Sequence, residues 1–371
     1  MRPRRSASCS GIFLFVFSPP TTRYYFCTLT TIITDIPTIV TTAELPDNIE
    51  IAIDGASAEV FVMTGAVPIF QTTLFAYEGM ITLYDLRAIM EEYLQSNSHT
   101  MAIANIWVND EAAEETFMSN DIYVVYSDFL IQDTTSFFAR HFLTTRSSFR
   151  INRQGAQTLS WLAAAGESVG GYIDAVSLDA ERNAIVTRIE EYTESSEFPS
   201  VCEAMMNVPE IQAQVTGTLV SFTVHRGSRS MTFYVTDETP DLVIAFRNAF
   251  NVEEIAELYA VTTTKQKVEH SEANCQRNRI FYDRRTEHSY EVETAALPYE
   301  EAVWLQQLFA SHHIMKDGRE ILITESESEI SDSDSETNRH KFTYKFARNE
   351  QTLSPPAATQ VLSEEYQSQF Q

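Results

Sequence analysis

Cysteine and glycine are both scarce in this chain. Four cysteines are spread over 371 residues, at Cys9, Cys27, Cys202 and Cys275, and no two have the CxxC spacing of zinc and redox sites. With only 11 glycines, the chain has no GxSxG nucleophile elbow and no GxGxxG or GxxxxGK[ST] phosphate loop. These absences exclude a zinc signature, a disulfide framework and the common phosphate-binding enzymes.

The histidines offer little for metal chemistry. No HExxH motif is present, and the adjacent His312 and His313 would point about 100° apart on a helix. His270, Cys275 and His288 could converge across a predicted hairpin as a soft metal site, but a solvated hairpin tip is the favoured interpretation. We predict no enzyme activity, no catalytic residue, no cofactor and no bound metal.

No hydrophobic run is long enough to span a membrane. The longest is Gly11–Phe17, whereas a spanning helix needs about 20 residues. Arg2, Arg4 and Arg5 precede it as in a signal peptide, yet no small-residue cleavage site follows. Gly11–Phe17 therefore stays open between a signal-peptide core and a buried strand.

Positive charge is scarce as well. The chain has 26 Lys and Arg against 52 Asp and Glu, which gives a formal net charge of −26. An acidic surface argues against binding to nucleic acid, because the phosphate backbone needs a basic face. It favours solubility at high local concentration.

Residues that favour strands are abundant. Hydrophobic residues make up 44% of the chain and aromatic residues 11%, mostly Phe and Tyr, which supports packed β cores. Short β-type segments alternate with turn signals, as in β-sandwiches. We predict a mainly β protein of several β-sandwich-like units that ends in a long β-hairpin, one α-helix and a closing β-hairpin, an α+β arrangement.

The segments divide the chain into three units and a polar tail. The predicted units are residues 1–128, 129–238 and 239–350, followed by the tail 351–371. The first unit contains a helix at Leu83–Gln95 and a hairpin turn at Asp54-Gly55. The second contains a hairpin around His225 and Arg226, which form either an exposed anion contact or, the favoured interpretation, an ordinary turn.

The third unit is the most informative. Ile255–His270 and Arg279–Leu297 are predicted as the two arms of the long hairpin, with Glu272–Asn278 as its tip. Pro298 suits the first position of a helix over Pro298–Ser311, and acidic residues follow in its first turn. The apolar face of that helix consists of Ala302, Leu305, Leu308 and Phe309, and Val303 and Trp304 widen it.

The closing hairpin is predicted from Ile321–Ile330 and His340–Ala347. Its expected register places Glu329 opposite Lys341 and Glu325 opposite Lys345, and turns Phe342, Tyr344 and Phe346 toward the helix. The acidic connection could hold calcium through Asp332, Asp334 and Glu336. It lacks the glycine of an EF-hand loop, so a solvated tip is favoured.

Basic residues gather in the long hairpin. Within twenty-one positions lie Lys265, Lys267, Arg277, Arg279, Arg284 and Arg285. A basic arm on an acidic protein favours contact with an acidic neighbour, such as another copy of the chain. Pairing inside the arm, with Glu269, Glu272 and Glu287, is an equal alternative.

Several segments carry a resemblance. They are Phe246–Asn251, Tyr290–Leu297, Glu301–Leu308 and Ile321–Tyr344, with Phe15–Pro19 and Thr82–Leu94 more loosely. These segments resemble structural proteins of phages and prophages from gut anaerobes of the Bacteroidetes type. The order of long hairpin, helix and hairpin is also similar to tail-tube and baseplate proteins, a likeness of fold.

The resemblance implies a virion structural protein of the tail or baseplate, assembled in the host cytoplasm. Its partners would be further copies of the chain and other virion proteins, with no nucleic acid and no membrane span. The alternative is a secreted or cell-surface adhesin or glycan-binding β-sandwich protein. Trp107 and Trp161 would then be sugar platforms, although core packing is the favoured use of both.

Overall fold

The computed structural model describes residues 30–112, 116–167, 171–191, 197–275, 278–333 and 337–348. Over these residues the protein is mainly β, with five sheets and four α-helices. The predicted fold class is confirmed. Gly11–Phe17 and the predicted tail 351–371 lie outside the described residues. No described helix is long and apolar enough to cross a membrane.

The first part of the chain forms two sheets and one helix. The elements are β1 (Thr31–Ile32), β2 (Ile39–Thr41), β3 (Asn48–Ala52), β4 (Ser57–Thr64), β5 (Val67–Phe75), β6 (Met80–Tyr84), α1 (Leu86–Ser96), β7 (Met101–Asp110), β8 (Phe117–Met118) and β9 (Ile122–Val125), with a 3-10 helix at Thr42–Glu44. One sheet has the order β1-β3-β6, and the other β2-β9-β7-β4-β5 with β8 beside β7. Leu86, Met90 and Leu94 of α1 lie on the predicted helix face and are buried in the core to which both sheets contribute.

The prediction of a hairpin at Asp54-Gly55 is wrong. Strand β3 pairs with β1 and β6 rather than with β4. The backbone N–H groups of Asp54 and Gly55 instead donate to the carboxylate of Asp110, at 2.8 and 3.0 Å. The dipeptide therefore crosses from one sheet to the other, and the end of β7 fixes its position.

The middle part adds a mixed sheet and a separate strand pair. The elements are α2 (Thr134–Arg140), β10 (Ser148–Asn152), β11 (Ala156–Ala163), β12 (Gly171–Leu178), β13 (Ala184–Glu191), β14 (Ser200–Asn207), α3 (Val208–Gln212), β15 (Thr218–Arg226) and β16 (Arg229–Thr236). The larger sheet has the order β10-β16-β15-β12-β13, and β11 pairs with β14. Strand β10 runs parallel to β16, while the other pairs are antiparallel.

The last part forms the largest sheet. The elements are β17 (Leu242–Arg247), β18 (Glu253–Leu258), β19 (Ala260–Cys275), β20 (Asn278–Thr294), α4 (Tyr299–Ala310), β21 (Ile314–Lys316), β22 (Arg319–Glu329) and β23 (Arg339–Phe346). Their order is β18-β17-β21-β22-β23-β20-β19. Helix α4 is confirmed to within one residue at each end, with Pro298 at the N-cap.

Two details of this sheet correct the sequence-based predictions. Ile255–Leu258 belongs to β18, which pairs with β17, so the first arm of the long hairpin is β19. The predicted tip Glu272–Asn278 is largely paired, since Cys275 lies opposite Asn278. In the closing hairpin Lys341 lies opposite Glu327, and Lys345 opposite Leu322. The predicted register is therefore wrong, and a register shift between Ile323 and Glu325 contributes to the difference.

Two large cores hold these sheets. One runs from Val40 to Tyr126 within the first part. The other runs from Phe142 to Tyr344 and is shared by the middle and last parts, so it crosses the predicted boundary between residues 238 and 239. At the junction of the two regions, Asn251 Nδ2 donates to the carbonyl oxygens of Leu94 and His99, at 3.1 and 2.9 Å.

Candidate assembly surface

A long two-stranded ribbon extends from the last sheet. We use the term ribbon for strands β19 and β20, which pair from Ala260–Thr294 to Cys275–Asn278. Strand β23 pairs with β20 only over Tyr290–Glu293. Of the strands that the structure describes, β19 alone lies beside the remaining twelve positions of β20, Asn278 to Ser289. At about 3.4 Å per residue they extend roughly 40 Å beyond the sheet.

The sequence of the ribbon favours this extended form. Val261 and the threonines that follow it are β-branched, and Tyr290 and Val292 continue the pattern on the opposite strand. Such side chains pack well on a pleated surface. With no glycine or proline from Ala260 to Cys275, no residue of β19 interrupts the ladder.

The alternation of side chains gives the ribbon two different faces. On one face Lys267 lies opposite Glu287, and Glu269 opposite Arg285. On the other face Gln266 lies opposite His288 and Val268 opposite Thr286. The first face is dominated by charge, and the second has mostly uncharged residues.

The charges of the first face form ion pairs within the sheet. Lys267 pairs with Glu269 at 2.7 Å, and Arg285 with Glu287 at 2.8 Å. Lys345 of β23 also reaches Glu287, at 3.2 Å. This pattern agrees with the alternative of pairing inside the arm, because Glu269 and Glu287 were the expected partners.

Glu291 is the most strongly perturbed carboxylate of the ribbon. It contacts the ammonium groups of Lys265 and Lys341, the latter at 2.7 Å. Hydrogen bonds from these two side chains lower the pKa of Glu291 to about 2. Lys341 lies on β23, so this carboxylate joins the base of the ribbon to the rest of the sheet.

An aromatic cluster supports the other face at the base. Tyr290 stacks on Tyr344 with ring centroids 4.9 Å apart, and it forms a T-shaped pair with Phe346 at a centroid distance of 5.6 Å. Phe342 contacts Phe309 of α4 at 5.4 Å. The predicted contact with the helix is therefore present for Phe342, while Tyr344 and Phe346 contact Tyr290 at the base of the ribbon.

The six basic residues predicted for assembly have different places in the structure. Lys265, Lys267 and Arg285 lie on the charged face in the ion pairs described above. Arg284 lies opposite His270 on the other face. Arg279 is part of β20, but its side chain is outside the described set, and Arg277 lies outside the described residues. Contact of these residues with an acidic neighbour stays a prediction.

The proposed metal ligands are separated. His288 lies opposite Gln266 and His270 opposite Arg284, so four ladder positions, or about 13 Å of strand, separate the two residues along the ribbon. The side chain of Cys275 is outside the described set. Asp334 and Glu336 of the calcium interpretation lie outside the described residues. Among the residues that the structure describes, no group of three His, Cys, Asp or Glu side chains is arranged to hold a metal ion.

Two other candidates are buried. Trp161 lies in β11 and is 1% exposed, so it cannot serve as a sugar platform, whereas Trp107 is half-buried. Arg226 is also 1% exposed; it donates to the carbonyl of His225 and lies over the Trp161 ring, 5.6 Å from its centroid. The interpretation of Arg226 as an exposed anion contact is therefore wrong.

A cleft between the first and last parts had no signal in the sequence. Its volume is about 530 Å³, within the range of small-molecule sites. Tyr126 donates to Asp128 Oδ1 at 2.7 Å, and Arg247 Nη1 to the carbonyl of Asn251 at 2.8 Å. Burial raises the pKa of Tyr126 and lowers the pKa of His312. Its lining comes from distant segments, which only the tertiary fold brings together.

Comparisons with known proteins give little to add to this geometry. No family model and no curated protein matches the chain. Two crystal forms of the full extracellular region of plexin A4 are similar over 88% and 87% of the chain, with 8% and 9% identity and TM-scores of 0.22. The chain covers 40% and 31% of those plexin chains. A likeness at this TM-score carries no argument about fold or function.

Proposed function

We propose that this chain is a structural subunit of a virus particle, a component of a phage tail or baseplate. It acts by packing against further copies of itself and other virion proteins, after synthesis in the host cytoplasm. The resemblance of its sequence segments to phage structural proteins suggests the class. The observation that carries the proposal is the ribbon, which extends beyond its own sheet.

The exposure of the ribbon supports a role in assembly. Every side chain from Val261 to His270 is exposed, although the segment is as regular as a core strand. An isolated two-stranded hairpin is at best marginally stable in water, and a further strand or packed surface stabilises it. A neighbouring subunit would supply that surface.

The charge distribution supports assembly by strand edges more than by a basic patch. The chain is strongly acidic, and the described basic residues of the charged face have acidic partners within the sheet. What the ribbon offers a neighbour is a long strand edge and a second face on which Arg284 lies among mostly uncharged residues. Strand addition to an exposed edge is a common mode of protein recognition.

The proposal is tested on purified particles and on a shortened ribbon. Lys265 and Ser289 lie opposite each other, so residues 266–288 can be replaced by Asn-Gly, which closes a two-residue hairpin. This variant keeps the pairing of β20 with β23. We expect mass spectrometry to find the intact protein in particles, and the shortened protein to fold but be missing from them.

A control variant changes an edge strand outside the ribbon. Val186 is 67% exposed on the edge strand β13, and Val186→Thr should leave incorporation unchanged. Absence of the intact protein from particles would disprove the proposal. Incorporation of the shortened protein at the wild-type copy number would show that assembly does not require the ribbon.

A further inference from the structure

No described strand pairs with the outer edge of β19, and this edge is regular. In the strand order of its sheet β19 stands last, and its side chains are exposed from Val261 to His270. The bulge of the ribbon falls in β20, since Ser271 lies opposite Asp283 and Glu272 opposite Phe281. Because the additional residue is in β20, the outer edge of β19 keeps an uninterrupted alternation of N–H and C=O groups.

The residues along this edge are self-complementary. Lys267 and Glu269 lie on one face, and Val268 between them lies on the other, 42% exposed. If two β19 edges meet antiparallel about Val268, Lys267 of each copy lies opposite Glu269 of the other. Val268 then lies opposite its own equivalent, and Gln266 opposite His270.

We propose that two copies of the chain join their β19 edges in antiparallel orientation, centred on Val268. The joined ribbons form a four-stranded sheet with two-fold symmetry, an arrangement typical of homodimers. This inference rests on the proposed assembly function and specifies its partner, a second copy. The overlap runs from Val261 to Cys275, which is about 50 Å of paired strand.

Alternative registers are less favourable. A centre at Lys267 places Lys267 against itself, and a centre at Glu269 places Glu269 against itself. A centre at Gln266 places Lys265 against Lys267. Like charges directly opposite each other destabilise a strand pair. Lysines on an edge strand ordinarily oppose edge-to-edge pairing. In the register centred on Val268, however, Lys267 lies opposite Glu269 of the other copy, so the lysine does not oppose this pairing.

The first test is charge complementation. Lys267→Glu alone places two acidic residues opposite each other at both symmetric positions, and Glu269→Lys alone places two basic ones. Each single variant should dimerise about tenfold more weakly than the wild type, since two attractive pairs become repulsive. Mixing the two variants should restore wild-type affinity, because the heterodimer has only opposite-charge pairs. Sedimentation velocity of the full-length chains measures both.

The second test fixes the register without changing a charge. In a background with all four cysteines replaced by serine, Val268→Cys should form a disulfide-linked dimer on mild oxidation. Gln266→Cys should not, because His270 of the second copy lies opposite it, whereas Gln266→Cys combined with His270→Cys should. Far-ultraviolet circular dichroism and thermal melting confirm that each variant is folded.

The outcomes separate this inference from the proposed function. Protein present in particles, with no restored affinity on mixing and no Val268→Cys dimer, overturns the register and leaves the structural role in place. A cross-linked dimer from protein that is absent from particles supports the register and overturns the virion role. Cross-linking by Gln266→Cys alone in place of Val268→Cys also overturns the register.

Discussion

The buried carboxylate of Glu254 accepts a hydrogen bond from the indole N–H of Trp304, with 2.5 Å between Oε2 and Nε1. The contact joins β18 to α4 inside the larger core. Burial raises the pKa of Glu254, and hydrogen bonds from Thr144 and Trp304 and the charge of Arg146 only partly oppose the shift. The folded protein therefore holds the proton of this carboxyl more tightly than the unfolded chain does.

The first prediction concerns the pH dependence that follows. A raised pKa gives a stability contribution that is present at low pH and is lost as the pH rises from the ordinary glutamate value through the folded value. Glu254→Gln keeps a carbonyl oxygen for Trp304 and cannot ionise. We expect the stability of the variant relative to the wild type to increase as the pH rises from the ordinary glutamate pKa through the raised pKa of the folded protein. Urea unfolding followed by tryptophan fluorescence measures it, and a pH-independent difference would contradict the assignment.

The second prediction concerns His340, which connects β23 to α4 and β22. Its Nε2 lies 2.9 Å from the carbonyl oxygen of Ala302 and its Nδ1 2.8 Å from Ser328 Oγ. The carbonyl can only accept, so the neutral ring carries its proton on Nε2, and the Ser328 hydroxyl donates to Nδ1. Burial lowers the pKa of His340. Stability should thus decline as the pH falls below about 6.5, where the unfolded chain takes up the proton first.

His340→Gln tests this sign. Glutamine can still donate to Ala302 but does not titrate, so the decline in acid should become shallower. The variant should also lose about 1 kcal/mol at neutral pH through the weakened contact with Ser328. Ser328→Ala is the matched control, since it keeps the ring and should keep the acid decline. An unchanged pH profile for His340→Gln would show that another group causes the decline.

The third prediction concerns the packing of α4. Leu305 is completely buried, whereas Val303 on the same helix is 39% exposed. Leu305→Ala should cost about 2–5 kcal/mol of unfolding free energy, as other truncations of a buried leucine do. Val303→Ala should cost much less. Denaturant melts measure both, and a loss below about 0.5 kcal/mol for Leu305→Ala would mean that the helix is not packed as described.

The fourth prediction concerns Glu291 at the base of the ribbon. Its pKa of about 2 depends on Lys265 and Lys341. Lys341→Met should raise that pKa toward the ordinary glutamate value, and added salt should do the same in the wild type. NMR titration of the side-chain carboxyl carbon measures it. Lys345→Met, which removes a partner of Glu287 instead, should leave the titration of Glu291 unchanged.

Local sequence signals predicted helix α4 well. They did not predict the register of the closing hairpin, which depends on a strand that is distant in the sequence. Pro298, two acidic residues and an apolar face are all encoded within the helix, so its ends agree to within one residue. The register of the closing hairpin failed because Lys341 and Lys345 find Glu291 and Glu287 on β20, about fifty residues earlier in the chain. With acidic residues at alternate positions of β22, several registers satisfy the same charge rule.

The candidate assembly surface and the other candidate sites were also predicted only in part. The ribbon was located, but its first arm was placed too early, because only Tyr259 separates β18 from β19 and tyrosine is itself a good strand former. The burial of Arg226 was not foreseen, since a basic residue beside a glycine turn ordinarily lies in solvent. The cleft beside Arg247 could not be predicted from local pattern.

The extent of the larger core has a consequence for synthesis. That core starts at Phe142 and includes Phe342 and Tyr344 of the last strand, while the first core is complete at Tyr126. During translation the first core can form early. Strand β10 cannot pair until its parallel partner β16 has been synthesised, and the larger core cannot be completed before β23 has been synthesised. Over about 200 residues of translation, or roughly 10–40 seconds at 5–20 residues per second, the nascent chain exposes unpaired strands. Chaperone binding during translation should therefore be most frequent after Phe142 has emerged from the ribosome and before Tyr344 has emerged. Selective ribosome profiling can measure this distribution.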